Sequence, residues 1–198
     1  TILATTDGRQ SWNRQHSGGT RAALLGLFAE PNRVPLELFA KLSGDEGYLG
    51  LVELIGHRDA SSAAPDEVPV ADRIHQAVVA VGGSGARTAW RFPLHQPKLL
   101  MGSEKILATW DRANDGGGQD LFQAHLVRQI RLWRPEVIVT HAASPLGNDP
   151  LGHLVNQAVL PAVQAAADPT SYPEQIARAG LEPWKVKKVF TALAPGLR

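Results

Sequence analysis

Cysteine is absent from all 198 residues. That excludes disulfides, thiolate nucleophiles and cysteine-ligated zinc or iron–sulfur centres. It leaves the redox compartment open, and any metal would need histidine and carboxylate ligands. No apolar run approaches the roughly 20 residues that a membrane-spanning helix requires, and no signal peptide is visible. Neither sign of charge is in excess. Twenty Lys and Arg against 19 Asp and Glu give a formal charge of +1, which supplies no electrostatic case for nucleic acid or an anionic membrane. Internal repeats and long low-complexity tracts are missing too.

What is present reads as an ordinary globular chain, 43% hydrophobic and 20% charged, long enough for one domain with a sizeable core. It opens on Thr1-Ile2-Leu3-Ala4-Thr5-Thr6, without an initiator methionine, and closes on Ala194-Pro195-Gly196-Leu197-Arg198. Both ends read as cut from something longer.

Ile2 to Thr6 is apolar and β-branched, a buried strand that ends at the turn signal Asp7-Gly8. A polar loop, Arg9 to Gly19, contains a solvated His16. Thr20 to Glu30 reads as a helix with Leu24, Leu27 and Phe28 on one face, ended by Pro31. Residues 32–69 are less regular and read as a possible insertion. Leu36 to Leu42 suggests a short helix, Tyr48 to Ile55 a short apolar element, and Ala60 to Pro65 a small-residue linker. Val70 to Val81 has helical spacing. Val79 to Gly85 superficially resembles a phosphate-binding glycine loop, but it lacks the full G-x-G-x-x-G and leads into a strand-like Arg87 to Phe92.

Leu99 to Trp110 is mixed in character. Asp111 to Asp120 reads as a flexible loop, with Asp120 placed to cap the next helix. Phe122, Leu126, Ile130 and Trp133 then form one apolar helix face, and Arg128, Arg131 and Arg134 read as a solvated one. Leu154 to Ala167 is an alanine-rich helix expected to kink at Pro161. A turn at 168–173, a short helix at 174–179 and a lysine-bearing strand, Trp184 to Leu193, close the pattern. The expected class is α/β: a Rossmann-like layered fold with a mainly parallel sheet flanked by helices.

The most informative stretch runs from Arg134 to His153. The strand Val137 to Val139 ends in Thr140-His141, and a loop of turn residues leads to Asp149 and His153 at the start of a helix. In open α/β sheets, chemistry collects beyond the carboxyl ends of strands. His141 and Asp149 are therefore expected to line a cleft with His153, and Asp7 is placed at the same sheet edge. His57, His75, His95 and His125 lack partners at metal-like spacing and read as structural or exposed.

This stretch and its flanks resemble the PIG-L/LmbE-like N-acetyl-sugar deacetylase family. The matching pieces are Thr6-Asp7-Gly8, Gly19-Thr20-Arg21, Arg134 to His141, Asp149-Pro150-Leu151-Gly152-His153, Ala166 to Pro169, Tyr172-Pro173-Glu174 and Gly180 to Val186. They cover both ends of the chain and little of its middle. Members of that family bind zinc through a histidine and an aspartate of an N-terminal A-H-P-D-D motif and the second histidine of a G-H-P-D-H-type motif. A spare aspartate of the first motif is the general base, and the first histidine of the second stabilises the oxyanion.

The resemblance implies a zinc-dependent hydrolase that deacetylates N-acetylated sugars or similar amides, with a small-molecule or glycan substrate. His153 matches the oxyanion-stabilising histidine, and Asp149 is expected to orient it. Two departures stand out. No His-Pro-Asp-Asp occurs, which places the strand carrying it before Thr1, and Asn156 stands where the third zinc ligand belongs. No residue is assigned as a metal ligand. The alternative is a degenerate relative that binds carbohydrate without turnover, or an interaction domain of a larger protein. Asn156 favours the degenerate binder, and the Asp149-Pro150-Leu151-Gly152-His153 loop favours the hydrolase, the reading adopted for the lineage.

Overall fold

The computed structural model describes residues 2–4, 13–15, 23–58, 69–89, 91–94, 102–142 and 149–193. Strands β1 (Ile2–Ala4) and β2 (Asn13–Gln15) pair antiparallel in a sheet of their own. The first strand of the main sheet is β3 (Leu24–Phe28), followed by a 3-10 turn at Pro31–Arg33 and helix α1 (Leu36–Phe39), which runs on into a π-helical turn at Ala40–Asp45. Then come β4 (Gly50–Leu54), β5 (His57–Arg58), α2 (Val70–Ala80), β6 (Gly85–Thr88) and β7 (Pro93–Leu94). The second half comprises α3 (Ser103–Ala113), α4 (Gly118–Trp133), β8 (Val137–His141), α5 (Pro150–Ala167), α6 (Pro173–Ala177) and β9 (Lys188–Ala192).

The main sheet has the order β6-β4-β3-β8-β9 with every pairing parallel. β5 and β7 form a small parallel pair apart from it. The expected α/β class with a parallel sheet between helices is therefore what the chain adopts. Strand order steps one way from β3 through β4 to β6 and the other way from β3 through β8 to β9. The reversal lies between β3 and β8, and such a switch point opens a crevice at the carboxyl ends of the two strands.

β3 corrects the expectation of a helix over 20–30. Leu24, Leu25, Leu27 and Phe28 are all buried because β3 is central and has a packed layer on each face. A strand covered on both faces reads as a continuous apolar run, which mimics a buried helix. Gly26 fits this density, since a Cβ there would lie 2.7 Å from the Phe28 ring and 3.0 Å from Phe39. β2 likewise falls inside the stretch expected to be a polar loop. β4 falls inside 32–69, so that part of the stretch belongs to the main sheet.

On one face α3, α4 and α5 bury Leu25, Leu27, Ile138, Trp110, Phe122, Leu126, Ile130 and Val155 in a single cluster. On the other, α1 and α2 close over Leu24, Phe28, Val52, Leu54 and Val139. The four residues expected on the apolar face of α4 are all buried. α3 occupies the stretch read as mixed and runs on into the expected loop. The N-cap of α4 is Gly117; Asp111 of α3 accepts from Gly118 N through Oδ1 at 2.8 Å, and Asp120 lies inside the first turn instead. α5 continues unbroken through Pro161.

Arg131 departs furthest from expectation. It is 1% exposed, not solvated. Its guanidinium donates to the carbonyls of Ala165, Ala166, Asp168, Ser171 and Tyr172, and to Gln175 Oε1, at 2.8–3.5 Å. Those carbonyls end α5 and lead into α6, where a helix C-terminus leaves acceptors without intrahelical donors. Tyr172, at φ 48°, is held in the left-handed region by this grip. Arg134 and Arg128 remain at the surface side of α4.

Candidate functional site

The switch point gathers side chains from three elements. β3 delivers Ala29, Glu30 and, through the 3-10 turn, Arg33. β8 delivers His141 as its last residue, and the start of α5 delivers Asp149, His153 and Asn156. Thr140 helps to set the register, donating its hydroxyl to Leu27 O at 2.9 Å.

His141 is the hinge of the arrangement. Its Nε2 accepts from the backbone N–H of Ala29, which ties the end of β8 to the end of β3. The ring stands edge-on to Phe28, centroids 5.4 Å apart. Burial lowers its pKa from the usual value, and Arg33 adds to that effect while Asp149 and Glu30 oppose it. The imidazole is thus held neutral, with its lone pair committed to a backbone donor. Asn156, nearly two helical turns into α5, donates Nδ2 to His141 O at 2.6 Å.

This burial fixes the sign of a pH effect. The folded pKa lies below the unfolded one, so on acidification the unfolded chain takes its proton first. Stability from this group is present above the ordinary value of 6.5 and is lost as pH falls through the lower folded value. His141→Gln keeps an acceptor for Ala29 N–H without a titrating group. Urea unfolding at about pH 7.5 and about pH 5.5 is expected to show a smaller acid loss in the variant than in the parent. Equal losses would assign the effect elsewhere.

Asp149 is the N-cap of α5, and its Oδ1 accepts from Gly152 N at 2.9 Å. Only a glycine permits this approach, because a Cβ at 152 would fall 2.4 Å from Asp149 Oδ2. That same Oδ2 lies 3.4 Å from the Arg33 guanidinium, whose side chain is 45% exposed. His153 meets Asp149 through the backbone, N to O at 2.9 Å. Its Nδ1 is buried without a hydrogen-bond partner among the described residues. The expected orientation of His153 by the Asp149 carboxylate is therefore not the bond found there: both carboxylate oxygens are engaged by Gly152 and Arg33.

Asp7, His16 and His95 lie outside the described residues, as does the side chain of His57. His75 sits against the Ala86 backbone, its Nδ1 3.2 Å from the carbonyl oxygen. His125 has a partner that the sequence reading missed, Glu53, at 3.0 Å. Glu30 and Arg33 were missed as well, because their segment read as the end of a helix. The signal was available: an apolar run followed at once by Ala-x-Pro.

No protein-family model matches the chain, and no curated protein matches it significantly. Solved structures do match. One is N,N'-diacetylchitobiose deacetylase from Pyrococcus horikoshii, at TM-score 0.58 and 14% identity over 86% of this chain and 59% of that one. This chain shares that protein's α/β fold. A conserved protein from Thermus thermophilus aligns equally well, with TM-score 0.58 and 15% identity over 89% of this chain and 69% of that one. The 4-carboxy-2-hydroxymuconate hydratase of Pseudomonas putida shares the fold more distantly, at TM-score 0.50 and 14% identity over 86% of this chain and 64% of that one. A fold that carries both a deacetylase and a hydratase does not by itself set the reaction.

Proposed function

We propose that this domain is a metal-free relative of the deacetylase-like fold, whose switch-point crevice binds a small polar ligand of the glycan class without hydrolysing it. The observation that carries the reading is the Arg33–Asp149 pair. β3 is the leading strand of the parallel sheet, and Ala29-Glu30-Pro31-Asn32-Arg33 follows it directly. This keeps the alanine and proline of A-H-P-D-D in frame. Glutamate replaces its histidine, and asparagine and arginine replace its two aspartates. On this reading the motif's position lies within the chain, rather than before Thr1, with its chemistry changed.

The donor set supports the same reading. Zinc takes unprotonated imidazole nitrogen and carboxylate oxygen. His141 Nε2 already accepts from Ala29, Asn156 presents its amide nitrogen to a carbonyl, and Asp149 is shared between a helix cap and a guanidinium. A fixed cation at Arg33 opposes a dication in the same crevice. Among the described residues, no group of three His, Asp or Glu side chains is placed to hold a metal ion. What remains at the strand ends is a polar cluster: an arginine, two carboxylates, an amide and the half-buried His153. Such groups suit the hydroxyls and amides of a sugar.

The test is direct. After dialysis against zinc, elemental analysis is expected to show well under one zinc per chain. N,N'-diacetylchitobiose is expected to shift the amide resonances of Ala29, His141 and Asn156 without releasing acetate. One zinc per chain together with acetate release would restore the hydrolase reading, and a sugar that leaves those amides unmoved would remove the binding one.

A further inference from the structure

A second cleft, sharing no residue with the switch-point crevice, lies beside the edge strand β6. It holds about 240 Å³ and is lined by Glu53, Arg87, Thr88, Ala89, Arg91, His125, Arg128 and Gln129. Glu53 stands opposite Arg87 in the β4–β6 register, and its side chain is only 3% exposed. One of its carboxylate oxygens meets His125 Nε2 at 3.0 Å, and the other is buried with no hydrogen-bond partner among the described residues. Phe92 packs edge-on against His125 and fixes the ring that fixes the glutamate. A buried acceptor that no described group of the chain meets is an unusual feature, satisfied by an ordered water or by a donor of a ligand.

The rest of the lining carries the opposite charge. Arg87, Arg91 and Arg128 are exposed, and none has a carboxylate partner among the described residues. Arg87 is held in place by the face of Trp133, its guanidinium carbon 4.6 Å from the ring centroid. Three guanidiniums around one small cleft repel each other unless an anion sits between them. With three cations to one carboxylate, the donor that meets Glu53 is disfavoured as an ammonium and favoured as a neutral hydroxyl.

We propose that this cleft binds a small organic anion bearing a hydroxyl group, with the arginines taking its phosphate or carboxylate and Glu53 Oε2 accepting from its hydroxyl. The volume lies below the range of common ligand pockets, about 300–1,000 Å³, and limits the ligand to a few carbons. The proposal is independent of whether the switch-point crevice binds a sugar.

Two matched pairs of probes test it by NMR titration: 2-hydroxyethyl phosphate against ethyl phosphate, and malate against succinate. The hydroxylated member of one pair is expected to bind roughly tenfold more tightly than its partner, shifting the amides of Ala89, Arg91 and Gln129. The winning pair tells phosphate from carboxylate. Arg128→Ala, at an exposed position, is expected to weaken that probe roughly tenfold. Glu53→Leu, which leaves neither acceptor nor donor, is expected to erase the preference for the hydroxyl while anion binding persists. If the leucine variant does not fold, the preference of the parent and the Arg128→Ala result still decide. The proposal is overturned if no probe shifts those amides, if the hydroxyl confers no preference, or if binding is indifferent to Arg128→Ala.

Discussion

Arg131→Ala is expected to lower the unfolding free energy by about 3–5 kcal/mol, the range for removing one member of a buried charged network. The side chain serves five backbone carbonyls and one side-chain amide from a position 1% exposed. Alanine returns no donor to any of them, and the geometry of the turn keeps water from reaching all of them at once. Burial lowers the pKa of the guanidinium, with Asp168 and Glu174 opposing, yet an arginine stays charged across the accessible pH range. Arg131→Lys tests the geometry separately. It keeps the charge but lacks the planar fork, so most of the loss should remain. Thermal unfolding should register the alanine change as a drop of roughly 10 °C. A loss under about 1 kcal/mol would mean that the carbonyls find other donors.

The second large effect is a gain. Four substitutions, Glu30→His, Asn32→Asp, Arg33→Asp and Asn156→His, would rewrite the crevice in the pattern of the PIG-L/LmbE-like motif. The combined variant is expected to take up one zinc per chain with a dissociation constant near or below about 1 μM, roughly 8 kcal/mol of binding free energy. The parent should stay far weaker. Arg33→Asp is the step that matters most, since it exchanges a fixed cation beside Asp149 for a carboxylate. Zinc titration followed by calorimetry reads the result. A folded variant that binds zinc no better than the parent would show that residues 29–33 do not occupy the motif's position, and the metal-free reading would lose its main support.

How much of this could be read before the fold was known varied by element, for physical reasons. α4 declared itself because only one of its faces is apolar, and the spacing of Phe122, Leu126, Ile130 and Trp133 has no other explanation. β8 was equally plain, bounded by Pro135 and a loop of turn residues. β3 was hidden by its own centrality: with both faces covered, it has no period to report. The error propagated, because a helix ending at Glu30 leaves no reason to inspect Ala29 to Arg33 for a site. His141, Asp149 and His153 were singled out by strand-end and helix-start signals, and Asn156 by the family resemblance alone. Arg33 and the Glu53–His125 pair depend on contacts across 116 and 72 positions, which no local pattern encodes.

The place of β3 in the sheet also has a consequence for how the chain is made. Its partner β4 follows closely, but its other partner, β8, begins only after about 50 further residues beyond β6. At a synthesis rate of about 5–20 residues per second, the finished half-sheet β3-β4-β6 waits several seconds with the β8 side of Leu24–Phe28 bare. During that interval a strand destined for complete burial is an open edge, able to pair with any neighbouring nascent chain. Fast synthesis through residues 89–136 shortens the exposure, so the yield of folded protein should depend on translation speed in that segment more than in any other.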